Sequence, residues 1–293
     1  MPTATAIHIE NQTRRDDPVY RKIVEPVVHW STEAPEGGIG LGTVFVKFTG
    51  DDKQPRHRHV FEQIRYIMSG SMTYGHKRVA QAGDCVYFPE TVPYGPVGYE
   101  PGEFFLMQWA GPSEHGLWYS VETLDAAGAE MKESLGEFDL SSGGLFRYKD
   151  GRVQDGYEAV AEYLSGGPLS YPPARYNDQV LMRTSSFPAV PIAPASGVSI
   201  KHLGYFNEVG PNVKELEFDA GGTLPAAPPA RSQQVWAVVD GEVGYEGGTY
   251  PKRSLLHVEP GASRAELSST GGAKVLVVAL GTPASAAIPF TEF

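Results

Sequence analysis

The amino-acid sequence predicts an all-β protein made of two barrel modules joined by a partly helical connection. Its 34 glycines, 24 prolines and aromatic content of 11% are typical of a turn-rich β protein rather than a helical one. A chain of 293 residues with 41% hydrophobic residues is long enough for two modules of about 150 residues, each with its own core. An internal repeat then assigns one module to each half of the chain.

The repeat is visible when the sequence is laid over itself without gaps. Four identical pairs then share one offset: Gln63 with Gln234, Gly70 with Gly241, Tyr74 with Tyr245 and Pro89 with Pro260. The segment EQIRYIMSGSMTYG lies over QQVWAVVDGEVGYE, and the alternation of apolar positions is preserved. We therefore expect the first module over roughly residues 35–112 and the second over roughly residues 205–283.

The remaining segments are assigned by their patterns. An extended apolar arm from Pro18 to Trp30 precedes the first module, and residues 192–206 form the corresponding arm of the second. Between the modules, Val121 to Leu135 and Tyr157 to Leu164 have helical spacing. A connection this long is unusual in a compact domain, so part of it is expected to cover a barrel mouth. The predicted domains are residues 1–112 (arm and metal-binding barrel), 113–190 (partly helical linker) and 191–293 (second barrel).

The histidine pair in PRHRHVFEQIRYIMSG carries the strongest chemical signal. His57 and His59 alternate along an extended segment, so both side chains can face one cavity. Gln63 adds an oxygen donor four residues later, in a strand that ends at a glycine turn. Two imidazoles and an oxygen donor suit a divalent metal, and the alternative is a pair of surface histidines in a charged loop. Gln63 either binds that metal or only hydrogen-bonds a neighbouring ligand or substrate.

Strand alternation also predicts which neighbours of Gln63 face the cavity. Arg65 should face the cavity together with Gln63, whereas Glu62 should point away from it. A buried arginine needs an anionic partner, which is either a substrate carboxylate or enolate or one of the acidic residues of the chain. Gln108, in the strand FFLMQW, is a further polar group expected on the cavity wall, where it would bind substrate.

These residues resemble the first motif of the cupin superfamily, G-x5-H-x-H-x3/4-E-x6-G. His57, His59 and Gly70 match the histidines and the closing glycine of that motif, and Gln63 replaces its glutamate. Gly50 stands for the first glycine, one residue further from His57 than the strict spacing. The resemblance implies two jelly-roll barrels, each a double-stranded β-helix, and so a bicupin.

The second cupin motif, G-x5-P-x-G-x2-H, resembles the segment GDCVYFPETVPY. Gly83 and Pro89 match it, and Tyr94 replaces the last histidine ligand of the family. Tyr94 is then a metal-bound phenolate, a proton donor to the substrate or a core aromatic residue. The metal ligands that the resemblance implies are His57, His59, Gln63 and Tyr94.

The resemblance implies the fold more specifically than it implies the activity. The string HRHVFEQIRYIMSG resembles H-R-H-x4-L-R-F-x3-G of gentisate-type ring-cleaving dioxygenases, and H-x-H-x3-Q occurs in uronate-processing cupins. The first resemblance implies an Fe(II) dioxygenase acting on a small aromatic or enolisable carboxylate or dicarbonyl, with Arg65 holding its negative charge. Zn, Ni, Mn and Cu suit the same donor atoms. The alternatives are a non-redox isomerase, lyase or decarboxylase with Tyr94 as the acid–base group, and a non-catalytic binding protein.

The second module lacks the histidine pair. Pro228 and Ala230 fall where His57 and His59 would repeat, and Ala265 falls where Tyr94 would. Without imidazoles this module is expected to bind no metal and to have a structural role.

Composition limits the partners and the compartment. A net charge of −11 and a pI near 5.2 disfavour nucleic acid and anionic membranes as partners. The chain has no stretch of 18 apolar residues and no apolar signal core at its start, which predicts a cytoplasmic protein. Cys85 is the only cysteine, so an intrachain disulfide is excluded and a buried structural thiol is favoured over a reactive one. We expect a small anionic substrate and, from the apolar arms, a homodimer.

Overall fold

The computed structural model describes residues 1–15, 27–32, 40–50, 53–111, 119–207 and 210–281. Strands dominate this part of the chain, which contains two α-helices, and the all-β prediction is confirmed. The strands up to residue 111 are β1 (Ala4–Ile7), β2 (Thr13–Arg15), β3 (Val27–Thr32), β4 (Leu41–Phe48), β5 (Lys53–Gln54), β6 (Phe61–Ser69), β7 (Ser71–Gly75), β8 (Arg78–Gln81), β9 (Asp84–Phe88), β10 (Val97–Tyr99) and β11 (Gly102–Ala110). The later strands are β12 (Gly136–Asp139), β13 (Leu145–Tyr148), β14 (Val153–Asp155), β15 (Val180–Arg183), β16 (Val190–Pro191), β17 (Ser196–Tyr205), β18 (Asn212–Leu224), β19 (Gln233–Tyr245), β20 (Gly248–Pro251), β21 (Leu255–Val258), β22 (Leu267–Ser269) and β23 (Ala273–Leu280). The helices are α1 (Val121–Ser134) and α2 (Gly156–Ser165), and short 3-10 turns lie at Ile9–Asn11, Leu140–Ser142 and Thr184–Ser186.

The chain forms two compact units, which we call the first and the second barrel. The first barrel comprises the described residues of Arg14–Ser31 and Leu41–Leu181. The second comprises those of Met1–Thr13, Thr32–Gly40 and Met182–Phe293. The start of the chain belongs to the second barrel because β1 pairs antiparallel with β21. The boundaries predicted at residues 112 and 190 stay a prediction.

The first barrel packs two antiparallel sheets face to face. At the centre of the larger sheet the strands run in the order β9-β6-β11-β4, and the smaller sheet has the order β5-β10-β7-β8. Apolar side chains from both sheets share one core, as in other sheet-on-sheet packings. The core residues are Val46, Phe48, Ile67, Met72, Tyr74, Ala80, Val86, Phe88, Tyr94, Val97, Tyr99 and Phe104. Ile67 lies in this core, so the alternation of β6 directs Gln63 and Arg65 into the same interior.

The second barrel is built around one long, strongly bent sheet. Its main path runs β1-β21-β19-β22-β18-β17-β16, with β20 paired to β19 and β23 paired to both β18 and β19. Buried and more exposed residues alternate over parts of β18 and β19, and residues 275–278 of β23 are all buried. The interior therefore holds an apolar core that includes Leu216, Phe218, Val238, Leu256 and Val275.

The described part of the connection packs on the first barrel. The two predicted helices are confirmed as α1 and α2, and side-chain caps explain where each begins: Ser120 accepts a hydrogen bond from the Thr123 N–H, and Asp155 accepts from Tyr157 and Glu158. Both helices bury apolar residues in a cluster with Phe61 of β6. The sequence did not predict the small sheet β12-β13-β14 that lies between them.

Replacing Gly70 with alanine is expected to destabilise the first barrel by about 2–5 kcal/mol. Gly70 has a φ of +72°, in the left-handed region, and a Cβ there would overlap the Pro101 carbonyl oxygen and lie 3.0 Å from Gly102 Cα. Urea unfolding measures the effect. Gly151→Ala is the matched control, because Gly151 has a φ of +90° but no neighbour within 4 Å of its Cβ position. Equal losses in the two variants would contradict the steric argument.

Candidate metal centre

Two adjacent loops bring the histidine pair and Tyr94 together. The segment before β6 runs antiparallel to the segment after β9, where the His57 N–H donates to the Tyr94 carbonyl at 3.0 Å and the Tyr94 N–H donates back at 2.9 Å. The Thr91 N–H donates to the His59 carbonyl at 2.8 Å. These backbone bonds fix the loops, so the side-chain positions follow from the barrel itself.

Four polar side chains converge on the Tyr94 hydroxyl. The Nε2 atoms of His57 and His59 lie 2.9 and 3.0 Å from Tyr94 Oη. Gln63 Nε2 and Arg65 Nη2 donate to the same oxygen at 2.7 and 2.9 Å. All five residues are buried, with at most 8% of their surface exposed, so the alternative of an exposed histidine pair is wrong. Tyr94 also packs its ring in the core, but its hydroxyl makes it more than a core aromatic residue.

The hydroxyl has more neighbours than a neutral phenol can bond. A phenol donates one hydrogen bond and accepts two, which makes three in all. Four polar atoms surround Tyr94 Oη, and the guanidinium and the amide, as oriented, can only donate to it. The four contacts therefore cannot all be hydrogen bonds to a neutral phenol. This crowding of polar atoms is typical of a site that holds a further ion or ligand.

Arg65 is a buried cation among phenols. Its Nη1 donates to Tyr99 Oη at 2.9 Å and contacts Met72 Sδ at 3.4 Å, while its Nε is buried without a hydrogen-bond partner. Burial by itself lowers the pKa of Arg65, but the Tyr94 and Tyr99 phenols raise it by more, so the guanidinium stays charged. No carboxylate in the described part of the chain forms an ion pair with it, so the predicted alternative of a bridge to an acidic residue is wrong for those residues.

The side chains of Gln108 (on β11) and Glu62 (on β6) lie on opposite faces of the sheet. Gln108 Nε2 donates to Gln63 Oε1 at 3.2 Å, so Gln108 orients Gln63 at the edge of the site. Glu62 points away from the site, as the alternation predicted: its carboxylate accepts hydrogen bonds from the Tyr87 hydroxyl and, at 3.0 Å, from Trp109 Nε1. No bulge brings a carboxylate to the histidines at this position. Cys85 is fully buried in β9, as expected for a structural thiol.

The connection covers the histidine side of the first barrel. The ring of His59 stacks on Phe61 at 4.2 Å and meets Tyr157 of α2 edge-on at 4.9 Å. Arg58, between the two histidines, turns outward and lies 3.5 Å over the ring of Tyr171. The expectation that the connection covers a barrel mouth is therefore confirmed for its described residues. His115, a candidate for the mouth, lies outside the described residues.

Sequence reasoning missed Tyr99 and Tyr157. Tyr99, in the other sheet, accepts a hydrogen bond from Arg65 Nη1. Tyr157, in the connection, packs its ring against His59. Neither residue falls in a recognisable motif, because both contacts join segments far apart in the sequence. The alternating apolar residues of VGY in β10, with Tyr99 and Val97 both buried, were the only local sign that Tyr99 faces the interior.

The donor atoms would suit a divalent metal with Tyr94 as one of its ligands. His57 Nδ1 donates to the Pro55 carbonyl at 2.7 Å, which leaves the Nε2 lone pair directed at the site, as in metal-binding histidines. Tyr94 Oη lies 2.9 and 3.0 Å from the two imidazole Nε2 atoms, so these three side chains are close enough to hold one ion together.

The fit also limits the ligand set. Within the described residues, no group of three or more histidine, cysteine, aspartate or glutamate side chains is placed to hold a metal. A metal here would be held by the two imidazoles, and the phenol oxygen of Tyr94 and the amide oxygen of Gln63 are the further protein donors within reach. As oriented, Gln63 presents its NH2 group, so a joint half-turn of the Gln63 and Gln108 amides presents the oxygen and keeps their mutual hydrogen bond.

The comparisons with known proteins place the fold. No protein-family model matches the chain, and no curated protein matches its sequence. A putative dioxygenase from Nostoc punctiforme superposes with a TM-score of 0.58 at 11% identity, covering 97% of this chain and 84% of its own. A variant of oxalate decarboxylase from Bacillus subtilis gives a TM-score of 0.54 at 12% identity, with 96% and 78% covered. A structure of the same decarboxylase from a study of its Mn(II) centres gives 0.53 at 12% identity, with 96% and 78% covered.

At these identities the likeness establishes the fold alone. None of the helices formed by the described residues has the length and apolar character needed to cross a membrane. The order and pairing of the strands, the repeated barrel and the solved neighbours all agree with the predicted architecture. The chain therefore has the two-barrel cupin fold of the bicupins.

Proposed function

We propose that the protein is a metal-dependent bicupin enzyme that acts on a small anionic organic molecule, with one divalent metal ion in the first barrel. The observation that carries the proposal is the convergence of four polar side chains on the Tyr94 hydroxyl inside an otherwise apolar core. Burying so many polar groups together costs stability, and such clusters are typical of active sites. The proposed ligands are His57, His59, Gln63 and Tyr94.

The favoured reaction is that of a non-haem Fe(II) dioxygenase on a small aromatic or enolisable carboxylate or dicarbonyl. Iron, when bound, supplies open positions for O2 and a bidentate substrate. Arg65 would hold the negative charge of the substrate, because its guanidinium is buried and has only phenols, a thioether and aromatic rings as described neighbours. Tyr99 and Met72 hold Nη1, so Nη2 keeps its direction toward the site.

A non-redox isomerase, lyase or decarboxylase is the second candidate. The observation that favours it is the position of Tyr94 Oη, 2.9 Å from one imidazole Nε2 and 3.0 Å from the other. Arg65 Nη2 donates to the same oxygen at 2.9 Å and would stabilise its phenolate form, so Tyr94 could donate a proton to a substrate and take one back from another atom of the substrate or from water. A metal at the site would then polarise a substrate carbonyl. A cytoplasmic homodimer completes the proposal on the sequence arguments alone.

The experiment that tests the proposal is a substrate screen on the metal-loaded protein. Catechols, salicylates and diketones are each followed for oxygen uptake and, by chromatography, for substrate loss. Substrate loss with matched oxygen uptake supports the dioxygenase, and substrate loss without it supports the non-redox enzyme. Binding of these compounds without turnover of any of them would overturn the enzymatic proposal and favour a binding protein.

A further inference from the structure

The second barrel has a cavity of about 270 Å³ that is partly open to solvent. Its walls come from β17, β18, β19 and β23 and from the loops before β19 and after β21, all within the second barrel. The polar residues among its lining are Lys214, Gln234 and Arg264, and the rest is apolar or aromatic. None of the described residues that line it is acidic.

The cavity occupies the position that the candidate metal centre has in the first barrel. There, His57 and Tyr94 form an isolated bridge between two loops, and in the second barrel Ala227 and Arg264 form the same bridge. The predictions that Pro228 replaces His57 and that Ala265 replaces Tyr94 are therefore each wrong by one residue, since Ala227 and Arg264 stand at those positions. The residue at the Tyr94 position is an arginine, which cannot bind a metal and favours an anion.

The aromatic and cationic residues exchange places between the barrels. Arg65 pairs with Val86 across the first barrel sheet, and Trp236 pairs with Leu256 at the corresponding position of the second. The first barrel thus has Arg65 on the strand and Tyr94 in the loop. The second barrel has Trp236 on the strand and Arg264 in the loop. The Arg264 guanidinium carbon lies 4.9 Å over the Trp236 ring, a cation–π contact.

Arg264 is a buried cation whose described partners are backbone carbonyls. Its Nη1 and Nη2 donate to the Ala265 and Pro225 carbonyls at 2.6 and 2.8 Å, while its Nε is buried without a hydrogen-bond partner. Only 5% of the residue is exposed, and burial lowers the pKa of its guanidinium. No carboxylate of the described chain forms an ion pair with it, so the charge is not neutralised by the protein.

Lys214 supplies a second cation across the cavity. Lys214 of β18 lies directly opposite Val277 of β23, and Val277 lies directly opposite Trp236 of β19. Two strand spacings therefore separate Lys214 from Trp236, about 10 Å between their backbones. Burial lowers the pKa of Lys214, and no hydrogen bond or ion pair joins its amine to another described residue.

We propose that this cavity binds a small organic monoanion, a carboxylate on a flat apolar body, between Lys214, Arg264 and the ring of Trp236. Two cations without counter-charges attract one carboxylate, and the indole face and aliphatic walls favour a flat apolar remainder. Gln234 adds polarity at the same wall, with its Oε1 accepting from Trp236 Nε1 at 2.9 Å. The second barrel is then a ligand-binding module without a metal, and this inference does not depend on the proposed function of the first barrel.

Benzoate binding measured by calorimetry tests this proposal. The protein is the full chain with His57→Ala and His59→Ala, so that a metal-dependent first-barrel site does not contribute. Benzoate is expected to bind, and benzamide, which has the same shape without the charge, is expected to bind at least about tenfold more weakly. Lys214→Met should weaken benzoate binding by a similar factor, and Lys214→Arg should restore most of it.

Lys274→Met is the matched control, because Lys274 lies on β23 outside the cavity lining and is partly exposed. It should leave benzoate binding unchanged. Trp236→Phe is a second test variant, which removes no charge and should lower benzoate affinity moderately. No benzoate binding to the full chain would overturn the proposal. So would equal binding of benzoate and benzamide, or equal losses from Lys214→Met and Lys274→Met.

Discussion

Replacing Tyr94 with phenylalanine is expected to abolish turnover, and the metal content of the variant distinguishes a ligand from an acid–base group. The change removes one oxygen atom, yet that atom is the common neighbour of both imidazoles, the Gln63 amide and the Arg65 guanidinium. If Tyr94 is a ligand, the metal loses its oxygen donor among the imidazoles. If it is an acid–base group, turnover should fall about a hundredfold or more while the metal stays bound. Elemental analysis and steady-state kinetics on the same preparation separate the two roles.

Tyr99→Phe is the matched control for this change. Tyr99 also accepts a hydrogen bond from Arg65, but none of its described hydrogen bonds reaches a histidine. Its removal should leave metal occupancy unchanged and lower substrate affinity only modestly. Each buried donor left without an acceptor costs about 1–3 kcal/mol of stability, so both variants should unfold at lower urea concentration. Full activity and full metal content in Tyr94→Phe would contradict the account of this site.

Replacing Arg65 with methionine is expected to weaken binding of an anionic substrate by about 2–5 kcal/mol, with KM rising more than kcat falls. The reason is charge: Arg65 is buried, remains protonated and has no described carboxylate partner. Methionine keeps much of the volume and removes the cation. The fold should survive, because a buried charge replaced by an apolar side chain is often neutral or stabilising.

The control for Arg65→Met is Arg58→Met. Arg58 lies between the two histidines in sequence, yet its guanidinium stacks on Tyr171 on the outside of the site. That variant removes the same charge from the same segment and should leave KM unchanged. Arg65→Lys should recover part of the affinity, because lysine keeps the charge without the planar fork. Equal KM values for Arg65→Met and the unaltered protein would exclude Arg65 from substrate binding.

The segment from His57 to Arg65 could be assigned to the site from the sequence, because its polar residues alternate along an extended chain. His57 and His59 at alternate positions, followed by Gln63 and Arg65, had to share one side of an extended chain, and they do. Tyr94 could be placed only through the cupin motif, since a residue so far along the chain has no local signal linking it to the histidines. That four polar side chains converge on its hydroxyl could be seen only in the three-dimensional structure.

The second barrel shows where an ungapped repeat fails. Gln63 pairs with Phe88, whereas Gln234 pairs with Val258, so the second copy is one residue shorter between these strands. Because Pro89 and Pro260 match in the ungapped repeat, that deletion left no sign in the sequence. A single missing residue moved the predicted Tyr94 equivalent from Arg264 to Ala265, so the positive charge at that position was not predicted. Periodicity within a strand survives such a deletion, but the identity of a loop residue does not.

Elemental analysis of protein purified without oxygen, compared with the His57→Ala/His59→Ala variant, shows directly whether the first barrel binds a metal. About one divalent metal ion per chain is expected, iron for the dioxygenase, with its loss in the double variant, because the two imidazoles are the strongest donors at the site. His202→Ala, in the second barrel, is the control and should keep the metal. No metal in the unaltered protein, or metal retained when both histidines are removed, would contradict the site described for the first barrel.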